Sequence, residues 1–212
     1  MTPVSIRDDA DTAAEPRLIL ASQSAARAQL LKGAGLDFLA LPARIDETAV
    51  KEAMAAEGAP AEDVAVMLAE MKARRISGRA GRVPVLGCDQ MLVADGRWFD
   101  KPADRDEARA TLEALSGRRH ELISAAVVTI DGTRVWHAIG HARLTMRPLS
   151  PAFIDQYLDR AGEAVLGSVG AYQLEGLGAQ LFSKVEGDYF TILGLPLIEL
   201  LDFLRLRGVI PS

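Results

Sequence analysis

The chain is poor in cysteine and histidine. Cys88 is the only cysteine among 212 residues, and there are three histidines. One thiol excludes an intrachain disulfide and suits a reducing compartment, so we expect a cytoplasmic protein. No histidine lies near Cys88 in the sequence, which favours a small core residue over a nucleophile. His137 and His141 fall in a strand-like segment, where their spacing does not reproduce helical metal-ligand geometry.

Long apolar runs and an excess of basic residues are also missing. No apolar stretch approaches the roughly 20 residues that span a bilayer, which argues against membrane insertion. Residues 1–16 lack the apolar run of a secretory signal, so we expect a flexible tail followed by a single domain over 17–212. A net charge of −5 argues against broad binding of a nucleic-acid polymer, which requires a basic face. Walker and strand-linked GxGxxG motifs are absent, so locally placed cations must meet any phosphate.

The periodicity that is present predicts an α/β fold. The apolar run 18–21 predicts a strand, followed by a turn and a helix from about 25 to 32. A helix over 61–75 has a predicted apolar stripe of Val64, Met67, Leu68 and Met71. The segments 83–87 and 91–94 are predicted strands, and the Asp-Gly turns at 95–96 and 131–132 predict hairpins. Further helices should begin near Asp104, Ser150 and Pro196. The result is a mixed twisted sheet with flanking helices.

Ser22, Ser24 and Arg27 surround the start of the first predicted helix. A helix N-terminus offers unpaired N–H groups, and hydroxyl and guanidinium donors could complete a phosphate cradle. In the alternative interpretation Ser24 only caps the helix and Arg27 is solvated.

Three carboxylates and two lysines are further candidates. Asp46 and Glu47 follow an apparent strand and could bind a hard cation or cap the next helix. Asp89 is predicted to end a buried strand, where an unpaired carboxylate would be costly, so a functional role is favoured. Lys72 and Lys101 are each typical of solvated surface residues, but Lys101 follows the hairpin that leaves Asp89 and should return near it.

An ordered series of short motifs now points to a family. In chain order they are Leu20-Ala21-Ser22-Gln23-Ser24-Ala25-Ala26-Arg27, Asp46-Glu47, Leu68-Ala69-Glu70-Met71-Lys72-Ala73, Gly87-Cys88-Asp89-Gln90, Lys101-Pro102, Leu115-Ser116-Gly117, Glu175-Gly176-Leu177-Gly178, Glu186-Gly187 and Gly194-Leu195-Pro196-Leu197. Over about residues 17 to 206 the chain resembles the Maf family of nucleoside triphosphate pyrophosphatases. Many relatives carry Pro-Arg-Arg after the second serine, so Ala25-Ala26-Arg27 lacks one guanidinium.

The resemblance implies two lobes around a central cleft, as in the inosine triphosphate pyrophosphatases. It implies hydrolysis of a nucleoside triphosphate to monophosphate and pyrophosphate, with Mg²⁺ or Mn²⁺ as cofactor. Asp89 takes the general-base position and, with Glu47, a metal-linked one. The implied phosphate-binding residues are Ser22, Arg27, Lys72 and Lys101, with Ser24 beside them. A homodimer is a further expectation, and a non-catalytic nucleotide-binding regulator of septum formation is the rival interpretation.

The nucleotide base is the finer question. Asp89-Gln90 and Glu175-Gly176 resemble the family branch that acts on 7-methyl-GTP, although Leu174 replaces the serine usual before the glutamate. A carboxylate at Glu175 can accept hydrogen bonds from guanine N–H groups and favours a positively charged methylated base. The expected role is the clearance of modified nucleotides, with Gln90 and Glu175 as substrate-binding residues. A dTTP/UTP pyrophosphatase is the alternative.

Overall fold

The computed structural model describes residues 17–211, so the predicted tail over 1–16 lies outside them. The described residues form seven strands: β1 (Ile19–Leu20), β2 (Leu39–Ala40), β3 (Val85–Ala94), β4 (Arg97–Phe99), β5 (Arg119–Ile130), β6 (Thr133–Met146) and β7 (Phe182–Glu186). They also form seven α-helices: α1 (Ala25–Gly33), α2 (Glu47–Ala56), α3 (Ala61–Ser77), α4 (Arg105–Leu115), α5 (Pro151–Ala161), α6 (Tyr189–Ile192) and α7 (Leu197–Leu206). Short 3-10 turns lie between α5 and β7.

The strands form one mixed sheet in the order β2-β1-β3-β5-β6-β7, and β4 pairs with β3 on its own. Strand β1 is parallel to both of its neighbours, β2 and β3. The neighbouring pairs β3–β5, β5–β6 and β6–β7 are antiparallel. The predicted Asp-Gly turns close the β3–β4 and β5–β6 hairpins. Asp95 and Gly96 have φ values of 50° and 77°, as a two-residue hairpin turn requires. The predicted mixed sheet is therefore confirmed.

Strand β3 positions the site because its side chains alternate between two helical layers. Leu86 and Cys88 face a core that α1 and α7 cover. Gly87, Asp89 and Met91 face α3, and a Cβ at Gly87 would lie 2.0 Å from the carbonyl oxygen of Ala69. The absence of a side chain at Gly87 therefore lets α3 lie directly on β3, next to Asp89.

The same strand joins two hydrophobic cores. On the face opposite α3, Leu86 and Cys88 belong to the core of α1 and α7, whereas Leu92 and Ala94 pack with α4 and α5. Asp89 and Gln90 stand where one core gives way to the other. This arrangement matches the expectation of two lobes with a cleft between them.

Two details of the predicted elements are wrong. The two predicted segments 83–87 and 91–94 are replaced by one continuous strand, Val85–Ala94, so Asp89 lies in its middle rather than at its end. The predicted stripe of α3 is also shifted, because Met67 is 45% exposed. The buried face consists of Val64, Ala65, Leu68, Ala69, Lys72, Ala73 and Ser77. Small alanines suit this face because it packs closely against the sheet.

The structure confirms the predicted starts of the helices. The side chains of Ser24, Asp104 and Ser150 accept hydrogen bonds from backbone N–H groups in the first turns of α1, α4 and α5. Within residues 17–211, none of the helices combines the length and the apolar composition needed to cross a bilayer.

Candidate active site

The predicted site residues converge on two adjoining cavities between the lobes. A cavity of about 270 Å³ is lined by Ser24, Arg27, Glu47, Lys72, Asp89, Gln90, Lys101 and Glu175, among others. A second cavity, of about 230 Å³, adds Ser22 and shares Ser24, Arg27, Glu47, Lys72 and Lys101 with the first. Residues from six separate stretches of the chain therefore meet at one cleft.

A buried lysine joins two carboxylates at the centre of the cleft. Lys72 Nζ lies 2.6 Å from Asp89 Oδ1 and 2.8 Å from Glu47 Oε1. Lys72 is therefore not the solvated surface charge of the alternative interpretation. The other oxygen of Asp89, Oδ2, is buried and has no hydrogen-bond partner among the described residues. Such an atom is costly unless water, a cation or a ligand meets it.

Glu47 stands at the first position of α2, directly after the helix cap. Asp46 Oδ1 accepts from the backbone N–H of Ala49, so the capping interpretation holds for Asp46. Partial burial acts to raise the pKa of Glu47, but the positive charges of Lys72, Lys51 and Lys101 lower it overall. The carboxylate is therefore held ionised beside the cations.

Arg27 is buried and fixed by three acceptors. Its Nε donates to the carbonyl of Gly194 at 2.8 Å, and Nη1 donates to Ser22 Oγ and to the carbonyl of Cys88, both at 3.1 Å. The solvated interpretation of Arg27 is thus wrong. Its Nη2 has no protein partner within residues 17–211, so the side chain both ties α1 to β3 and keeps donors for a ligand.

Burial raises the pKa of the Cys88 thiol to about 11, in keeping with the predicted core role.

Ser24 combines the two roles that the sequence left open. Its Oγ accepts from the backbone N–H of Arg27 as the cap of α1, and the residue also lines both cavities. The start of α1 therefore presents its backbone donors to the cleft.

Gln90 has its amide nitrogen committed to the protein. Nε2 donates to Ser124 Oγ at 2.9 Å, to the carbonyl of Thr191 at 3.2 Å and to that of Ile192 at 3.0 Å. Two carbonyl acceptors fix which end of the amide is nitrogen. Gln90 thus anchors the turn around α6, and only its carbonyl end remains for a substrate.

Lys101 and Glu175 lie at the exposed margins of the cleft. Although Lys101 is exposed by area, partial burial and the positive charge of Arg27 lower its pKa. Glu175 has no ion-pair partner in the described part of the chain. The segment before Glu175 is held by Tyr172, whose hydroxyl lies 2.7 Å from Nε2 of the buried His120.

Two charged residues of the cleft were not predicted from the sequence. Lys51 and Asp100 line the larger cavity and form an ion pair with each other. The available signal was the spacing of Lys51, four residues after Glu47, which places both on one face of α2. Asp100 precedes Lys101 and offered no pattern of its own.

The donor set fits a divalent cation only if the ligand contributes oxygens. Residues 17–211 contain no group of three or more His, Cys, Asp or Glu side chains suited to a metal ion. Mg²⁺ is commonly held by one or two carboxylates together with substrate phosphates. Asp89, with its unpartnered Oδ2, and Glu47 could supply those two carboxylates.

Comparisons with known proteins identify the family of the chain. Residues 17–207 match the family model described as Maf-like protein. A nucleoside triphosphate pyrophosphatase of Paramagnetospirillum magneticum is 58% identical, with 90% of this chain and 98% of that protein aligned. A 7-methyl-GTP pyrophosphatase of Rhizobium etli is 52% identical over 92% of this chain and 98% of that protein. A dITP/XTP pyrophosphatase structure from Mycobacterium abscessus covers 92% of this chain and 97% of its own at 16% identity, with a TM-score of only 0.41. On the family match and the two close relatives, the chain belongs to the Maf family.

Proposed function

We propose that this protein hydrolyses a nucleoside triphosphate between the α and β phosphates, releasing monophosphate and pyrophosphate. The observation that carries the proposal is the unpartnered Oδ2 of Asp89, buried in a cleft where Arg27, Lys72 and Lys101 converge. A carboxylate oxygen without a protein partner is suited to receive a proton from a water molecule. The names of the two close relatives support the same reaction.

The reaction needs a water molecule to attack the α-phosphorus. Asp89 Oδ2 would orient this water and take its proton as the new P–O bond forms. The bond from the α-phosphorus to the bridging oxygen breaks, and that oxygen leaves with the pyrophosphate. Because Lys72 Nζ lies 2.6 Å from Asp89 Oδ1, it would fix the carboxylate while Oδ2 meets the attacking water.

The cations serve the departing side. Negative charge grows on the pyrophosphate as it leaves, and preorganised cations stabilise that charge most strongly in a cleft shielded from water. Arg27 through Nη2, Lys101 and the start of α1 with Ser22 and Ser24 would bind the phosphates. A divalent cation held by Glu47 and Asp89 would neutralise further charge on the phosphates.

For the base we propose a modified purine such as 7-methylguanine. Methylation at N7 gives guanine a positive charge, which the unpaired carboxylate of Glu175 would attract. The Rhizobium etli relative bears the name of such an enzyme. Because Gln90 Nε2 is bound by the protein, Gln90 would position the α6 turn rather than read the base through that nitrogen.

The test is product analysis on a panel of triphosphates with Mg²⁺ or Mn²⁺. We expect pyrophosphate and monophosphate, and release of orthophosphate and diphosphate would contradict the proposal. Asp89→Asn should lower kcat by about 10³-fold with nucleotide affinity retained, since the base is lost while the shape remains. Nucleotide binding without turnover in the wild-type protein would instead favour the regulator.

A further inference from the structure

We propose that Lys51 is an additional phosphate-binding residue. In this structure it forms an ion pair with Asp100, and it moves to a substrate phosphate when the nucleotide binds. This inference rests on the proposed function and deepens it. Nothing in the motifs that define the resemblance includes either residue.

Lys51 is built into the cleft rather than onto the surface. It lies one helical turn after Glu47 on α2, and its side chain is only 14% exposed. It lines the larger cavity together with Arg27, Lys72 and Lys101.

Asp100 is a partner that can be given up at little cost. Its side chain is 66% exposed, so water can solvate the carboxylate once Lys51 leaves. Water competes for an exposed carboxylate, so the pairing of Asp100 with Lys51 contributes little to stability. A charge-assisted bond to a phosphate, which carries more charge than a carboxylate, is stronger. Transfer of Lys51 from Asp100 to a phosphate is therefore favourable.

The other buried cations are not so easily exchanged. Lys72 is held between two carboxylates, and Arg27 has three protein acceptors. Formally, four cations and four carboxylates line the larger cavity in the described chain, so the resting cleft has no surplus positive charge. A triphosphate brings several negative charges, and Lys51 is the cation whose present partner water can replace.

The competing explanation is that Lys51 and Asp100 merely tie α2 to the end of β4. A structural tie needs both partners equally, whereas a reserved phosphate ligand needs only the lysine. The two explanations therefore predict opposite results for removal of Asp100.

The experiment measures the binding of inorganic triphosphate, a probe without a base, to the whole protein by calorimetry. We expect Lys51→Met to weaken binding about tenfold, the loss of one charge-assisted bond. Asp100→Asn should strengthen binding by about threefold, because the competing carboxylate is gone. Lys51→Arg should restore most of the affinity, and Lys32→Met, a change at the exposed end of α1, should have no effect.

Equal weakening by Lys51→Met and Asp100→Asn, with a double variant no weaker than either, would overturn the proposal in favour of the tie. Unchanged binding in Lys51→Met would overturn it as well. Since the probe reports on phosphate binding without turnover, these outcomes are separate from the product analysis. Release of orthophosphate from a nucleotide would refute the α–β reaction. The binding of inorganic triphosphate by the Lys51 and Asp100 variants could still be interpreted.

Discussion

Buried charge at Lys72 decides which variants of the site can be interpreted. Removal of one partner of a buried ion pair leaves an uncompensated charge, at a cost of about 3 to 5 kcal/mol. Asp89→Asn leaves Lys72 with Glu47 at 2.8 Å, so the lysine keeps a carboxylate. Lys72→Met would instead leave the 4% exposed Asp89 without its cation. Substitution of the aspartate is therefore the cleaner test of chemistry.

Gly87 should be among the positions least tolerant of a methyl group. Its Cβ would lie 2.0 Å from the Ala69 carbonyl and 2.8 Å from the Ala73 backbone nitrogen, and neither backbone atom can move without shifting α3. We expect Gly87→Ala to lower the free energy of unfolding by about 3 kcal/mol, as overpacking does. Chemical denaturation would measure this loss.

The control for that substitution lies at the end of the same helix. At Gly78 an added Cβ meets nothing within 4 Å, and the residue has a φ of −62° that any amino acid adopts. Gly78→Ala should change stability by less than about 0.5 kcal/mol. Equal effects at Gly78 and Gly87 would refute the close approach of α3 to β3.

Among the elements, α2 contributes two charged residues to the cleft. None of its residues is fully buried, yet its first turns deliver Glu47 and Lys51 to the cleft. The segment from Gly167 to Leu181 differs, because 3-10 turns and the contact of Tyr172 with His120 hold it in place. One wall of the cleft therefore carries charged side chains from helix α2. The other wall carries Glu175 on a loop between 3-10 turns.

Glu175→Gln tests the role of this loop in base selection. Loss of the carboxylate should reduce the preference for 7-methyl-GTP over dTTP by about tenfold in kcat/KM, since the attraction to a cationic base disappears. Turnover of dTTP should change little. The matched control is Glu163→Gln, an exposed glutamate outside the nucleotide cavity. An unchanged preference in Glu175→Gln would remove this residue from base recognition.

For the molecule as a whole, acid stability should depend on His120. Burial lowers the pKa of His120 from 6.5 to about 4, so the folded protein keeps this ring neutral where the unfolded chain would protonate it. Stability from this group is complete above pH 6.5 and is lost as the pH falls towards 4. The loss should reach about 3 kcal/mol near pH 4.

Urea denaturation at a series of pH values would detect this dependence. His120→Gln, which cannot titrate, should show a shallower loss of stability between pH 6.5 and 4 than the wild type. An unaltered slope in His120→Gln would show that His120 is not the titrating group.

Local interactions explain which features were predictable from the sequence. The caps at Ser24, Asp104 and Ser150 and the two Asp-Gly hairpins depend on residues within a few positions of each other. The order of the motifs predicted that Asp89, Lys72 and Glu47 belong to one site, and in the fold Lys72 contacts both carboxylates. The error at Met67 shows the limit, since apolar spacing alone could not reveal that small alanines face the sheet.

Contacts between distant segments required the fold itself. Lys72 and Asp89 meet because Gly87 lets α3 lie directly on β3. The amide nitrogen of Gln90 is hydrogen-bonded because the carbonyl of Thr191 lies on the other side of that strand. The pairing of Lys51 with Asp100 joins residues 49 positions apart. Residue types and local order follow from neighbours along the chain. Which charges are buried, paired or left open to a phosphate depends on packing between elements that the chain brings together only when folded.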